Sequence, residues 1–63
     1  MGRTVSNLRR SSFAKGEAAV EVGFEDGFYI IRTSDDVNFE TYATIVEFQA
    51  FIQGVKAGEF DKW

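Results

Sequence analysis

Cysteine and histidine are both missing from these 63 residues. Without cysteine there is no disulfide and no thiolate ligand, and without histidine neither a structural zinc site nor a His-based catalytic triad can be assembled. Long hydrophobic runs are missing too. Nothing approaches the ~20 apolar residues needed to span a bilayer, and the first residues lack the apolar core of a secretory signal, so the expectation is a soluble, cytoplasmic protein with no membrane association. Catalytic pairings are equally scarce. Ser11 and Ser12 have no identifiable base beside them, and a hydroxyl is a weak nucleophile until a base activates it. Asp35, Asp36, Asn38 and Glu40 place four oxygen ligands close together, but the alternating acids, sixth-position glycine and twelfth-position glutamate of an EF-hand calcium loop are not there. Adjacent carboxylates in a polar stretch also have nothing to assign them separate acid and base roles. The expectation is a protein that is not an enzyme and holds no metal or cofactor.

What the chain does have is aromatic side chains and an uneven charge. Seven Phe, two Tyr and one Trp are many large apolar groups for one small domain. A domain of about 60 residues buries only about 60% of the surface its unfolded chain exposes, and the usual staples are excluded, which leaves association as the remaining source of stability. A homodimer or an obligate partner is expected. Residues 1–16 hold Arg3, Arg9, Arg10 and Lys15 with no acid, whereas residues 17–63 hold ten acids against Arg32, Lys56 and Lys62, giving +4 followed by −7 and the net −3. The basic stretch reads either as a solvated arm or as an arm that meets an acidic partner or nucleic acid.

The organising stretch is 20–33. Asp26-Gly27, flanked by β-forming residues, is the strongest short-range signal for a two-residue type I′ hairpin, because both central positions need φ > 0. That loop sets Glu25 opposite Phe28 and Glu21 opposite Arg32. One face then carries Val20, Val22, Phe24, Tyr29, Ile31 and Thr33, and the other Glu21, Gly23, Glu25, Phe28, Ile30 and Arg32. Phe28–Ile31 is apolar on both faces and reads as a central strand. Residues 1–7 read as a loose arm and 8–63 as a single domain. Leu8–Phe13 suggests a short edge strand with Leu8 or Phe13 turned inward, 33–38 a polar loop, and 39–42 a last short strand. Thr44-Ile45-Val46-Glu47 is a capping box opening a helix from Ile45 to about Ala57, with Gly58 in the left-handed position past its end. Its stripe of Ile45, Phe48, Phe51, Ile52 and Val55 is expected to cover one sheet face, while Val46, Ala50, Gly54 and Ala57 form a row of small residues on its flank. The fold class is therefore α+β, a small antiparallel sheet of three to four strands with one C-terminal helix packed on it.

Leu8-Arg9-Arg10-Ser11-Ser12-Phe13, Val20-Glu21-Val22, Ile31-Arg32-Thr33-Ser34-Asp35 and the stretch from Glu47 to Asp61 together resemble the small actinobacterial domain-of-unknown-function family numbered 397, in order and spacing. Typical members have Trp where this chain has Leu8, a Cys just before the Val-Glu-Val where Ala18-Ala19 stands, Asp at Thr33 and Trp at Phe48. The resemblance implies a non-catalytic regulatory protein that binds a helix-turn-helix transcription regulator, in some cases as a toxin–antitoxin-like pair. An acidic surface rich in aromatics suits a basic DNA-binding partner, so nucleic acid is met only indirectly; direct, weak binding through the basic arm is the alternative. The partner-binding surface is expected at Phe28 and Ile30, left uncovered opposite the helix, widened by Phe60 and Trp63, with Arg9 and Arg10 in the basic arm. The competing arrangement has Leu8–Phe13 covering that face within the monomer.

Overall fold

The computed structural model describes residues 7–16 and 18–63; the expected loose arm lies, apart from Asn7, outside the described residues. Three strands, β1 (Val20–Glu25), β2 (Phe28–Thr33) and β3 (Asp36–Ala43), form one antiparallel sheet in that order, followed by one helix, α1 (Ile45–Lys56). This is the α+β arrangement expected from the sequence. The first hairpin turns at Asp26 and Gly27, with φ of 56° and 81°, the sign a type I′ turn demands at both positions. Every cross-strand pair from Val20↔Thr33 to Glu25↔Phe28 follows from that turn.

The second hairpin departs from expectation. The polar stretch after Thr33 is a tight turn rather than a six-residue loop, because Thr33 already pairs with Asp36, and β3 runs eight residues where a short strand at 39–42 was expected. Ser34 is tied down by a reciprocal pair of bonds: its N–H donates to the Ala19 carbonyl at 2.8 Å, and the Ala19 N–H donates to Ser34 Oγ at 2.9 Å. β3 tolerates a polar sequence because it is an edge strand. It also carries extra chain. Ile31 pairs with Thr41 and Thr33 with Asp36, so residues 37–40 stand against Arg32 alone, a bulge that bends the strand and turns Phe39 out to solvent.

The helix forms as its caps dictate. The Glu47 N–H donates to Thr44 Oγ1 at 3.1 Å while the Thr44 N–H donates to Glu47 Oε1 at 2.9 Å, closing the capping box. At the far end Gly58 adopts φ 75°, and the N–H groups of Glu59 and Gly58 donate to the carbonyls of Gly54 and Val55, both at 3.0 Å. This is the paired bonding of a Schellman termination. The helix lies on the Val22–Tyr29 face, where Phe48 stacks on Tyr29 with centroids 4.2 Å apart and planes 20° from parallel. Cover is partial. Ile45, Phe51, Ile52 and Val55 each keep more than a third of their surface exposed, so Phe48 alone of the apolar stripe is half-buried.

The core sits elsewhere. Among the described residues Ile30 is the one apolar side chain wholly out of solvent, at 0% exposed. It lies on the face away from the helix, between cross-strand partners Gly23 and Tyr42. The expectation that Ile30 is uncovered is therefore corrected. A central-strand side chain flanked on both sides loses its surface even without a second helix.

Candidate functional site

The sheet is wider than the helix laid across it. Three strands at about 4.8 Å spacing plus a fourth, partial one exceed the roughly 10 Å width of a single helix. The fourth is the segment around Arg9, whose N–H and carbonyl bond the Val22 carbonyl and N–H at 2.8 and 2.9 Å. Asn7 continues the pairing with its side chain. Its Nδ2 donates to the Phe24 carbonyl at 2.7 Å and its Oδ1 accepts from the Phe24 N–H at 3.1 Å, so an amide side chain takes the place of a backbone peptide. Phe13, offered with Leu8 as an inward-facing residue, is 86% exposed, whereas Leu8 is half-buried.

Between this segment and α1 the helix-side face of β1 stays open as a groove of about 630 Å³, floored by Val20, Val22, Phe24, Tyr29, Phe48 and Ile52. Three of its rings, Phe24, Tyr29 and Phe48, begin an unbroken row that continues past the groove to Phe51 and Phe60. Phe24 meets Tyr29 at 4.8 Å between centroids, Tyr29 meets Phe48 at 4.2 Å, Phe48 meets Phe51 at 5.8 Å and Phe51 meets Phe60 at 5.2 Å. Three of the spacings lie in the range of roughly 4.5–7 Å where aromatic pairs attract beyond the burial of their area, and the stacked Tyr29–Phe48 pair is closer still. Arg9 stands on the groove's rim, and its guanidinium meets no carboxylate among the described residues.

The opposite face is polar and closed by charge. Arg10 Nη2 donates to Glu21 Oε2 at 2.7 Å, Arg32 Nε donates to Glu21 Oε1 at 3.1 Å, Arg32 Nη1 lies 3.7 Å from Glu40 Oε2, and Tyr42 Oη donates to Glu40 Oε1 at 2.8 Å. The chain of contacts crosses from the N-terminal segment through all three strands. Glu21 is buried, which its two guanidinium partners make tolerable. At the hairpin end of this face Phe28 and Tyr42 border a smaller hollow with Glu25 and Asp26.

The residues expected at a partner surface therefore separate. Phe28 is exposed; Ile30 is buried and cannot touch a partner without opening the sheet. Phe60 folds back on the helix, and Trp63 stands in solvent. Arg9 and Arg10 both border the groove, but the Arg10 guanidinium is engaged by Glu21. Arg3 lies outside the described residues. Sequence reasoning missed the groove because it assigned Val22, Phe24 and Tyr29 to the face the helix covers; the mismatch between one helix and the width of the sheet was the signal available. No group of three or more acidic, histidine or cysteine residues among the described ones is placed to hold a metal ion, and no helix among them is long and apolar enough to cross a membrane. Compared with family models, curated proteins and solved structures, the chain matches none of them.

Proposed function

We propose that this chain is a small, non-enzymatic regulatory protein of the cytoplasm that acts by binding another protein, a helix-turn-helix transcription regulator. The observation that carries the interaction reading is the open groove floored by the rings of Phe24, Tyr29 and Phe48: an apolar concavity with a charged rim, on a domain with a single wholly buried apolar side chain among the described residues, has the character of an interface core with a polar edge. The resemblance to the family numbered 397 supports a regulator as the partner, and the acidic residues 17–63 suit a basic one. Direct nucleic-acid binding gains no support from Arg10, which is committed to Glu21.

Affinity capture from the native host, with the bound protein identified by mass spectrometry, tests the reading. Recovery of a helix-turn-helix regulator, lost when Phe24→Arg is introduced into the groove, is the expected result. Recovery of no regulator, or of a metabolic enzyme complex alone, overturns it.

A further inference from the structure

Trp63 is the only tryptophan in the chain and keeps 98% of its surface in solvent. The segment beyond Gly58 has a definite character: two large rings, Phe60 and Trp63, interspersed with the carboxylates Glu59 and Asp61. The groove has the complementary one, an apolar floor beside Arg9, whose guanidinium meets no carboxylate among the described residues. Phe60 packs against Phe51 and Gly54, which sets the course of the tail and leaves Trp63 clear of its own groove.

We propose that the groove receives Trp63 of a second copy of this chain, with Asp61 of the visiting tail set against Arg9, in a reciprocal two-fold pairing. Each copy offers one tail and one groove, so a two-fold arrangement satisfies both and closes at the dimer. The groove's 630 Å³ lies within the range of sites that enclose compact apolar ligands, roughly 300–1,000 Å³. An indole buries about 150–250 Å²; two of them, with a similar groove surface covered by each, bring the contact to on the order of 600–1,000 Å². That area is at the low end for specific association and corresponds to a reversible dimer rather than an obligate one. Tryptophan and arginine are also the residue types that most often dominate such contacts. The pairing needs no regulator, so its test on the purified protein stands apart from the function proposed above.

The single tryptophan makes the test direct. Over a dilution series, sedimentation equilibrium reads the mass while Trp63 emission and acrylamide quenching read its surroundings. A rise to dimer mass accompanied by a blue shift and reduced quenching is expected. Trp63→Ala should weaken the dimer at least tenfold, a typical cost of losing a central anchor. Arg9→Glu and Asp61→Arg should each weaken it, and the two together should restore it, with circular dichroism showing all variants folded. Three results overturn the proposal: a monomer throughout, a dimer in which Trp63 emission and quenching do not change, or a blue-shifted emission independent of concentration, which puts the indole in its own groove.

Discussion

The ring of Phe60 occupies the space that a β-carbon on Gly54 would need: a methyl group there would lie 2.6 Å from Phe60 Cε2 and 3.2 Å from Cζ. The glycine is thus a seat for the ring that follows the helix, and two effects oppose each other on substitution. Alanine gains about 1 kcal/mol of helix propensity but pushes the ring out. In a Phe60→Ala background the ring is gone, so Gly54→Ala is expected to stabilise by about 1 kcal/mol, whereas in the native chain most of that gain should vanish. Urea denaturation of the four proteins of this double-mutant cycle reads the difference as the energy of the contact.

Ile30 and Phe28 share a sheet face but not an environment, the first fully buried and the second 46% exposed. Ile30→Asp places a carboxylate at a position wholly out of solvent and is expected to leave the chain unfolded by circular dichroism. Phe28→Asp should stay folded, with stability changed by less than about 1 kcal/mol. Equal tolerance of both changes would show that Ile30 is not the core.

Glu21 holds two arginines of different exposure: 43% for the Arg10 side chain and 10% for that of Arg32. Glu21→Gln removes one of the charges set against the buried Arg32, which keeps Glu40, and is expected to cost about 2–3 kcal/mol, somewhat below the 3–5 kcal/mol of a fully buried broken pair. Arg10→Ala removes a half-exposed partner and should cost less than about 1 kcal/mol. Urea midpoints of the two variants order the effects.

Gly27 sits at φ 81°, where side chains are strained. Gly27→Ala should cost about 1–2 kcal/mol for the left-handed conformation alone. Because the turn sets the register of β1 on β2, backbone chemical shifts should still report the pairing of Glu25 with Phe28; a slipped register in this variant would show that the strands, not the turn, hold it.

What could be read from the chain in advance divides by the range of the interaction. The Asp26-Gly27 turn, the Thr44–Glu47 capping box and the Gly58 termination are contacts between residues a few positions apart, and each is written in local chemistry. The α+β architecture followed from them. The length of β3 did not, since Asp36, Val37 and Asn38 join the sheet through a bulge that no alternation of polar and apolar residues announces. Nor did the groove, which depends on how much of β1 one helix of this width reaches. Gly54 was legible as one of a row of small residues, but its partner proved to be Phe60 of the same chain.

The bulge of residues 37–40 against Arg32 also bears on what the sheet does in a crowded solution. A flat outer strand offers a straight line of peptide groups on which further strands can add without limit, and that is how fibrils grow. Here the outer strand is bent by surplus chain, and at the other margin the peptide groups of Val22 and Phe24 are already taken by Arg9 and Asn7. Growth by strand addition is interrupted at both margins, so a domain with so many rings in solvent can meet its neighbours face to face and stop at a small number of copies.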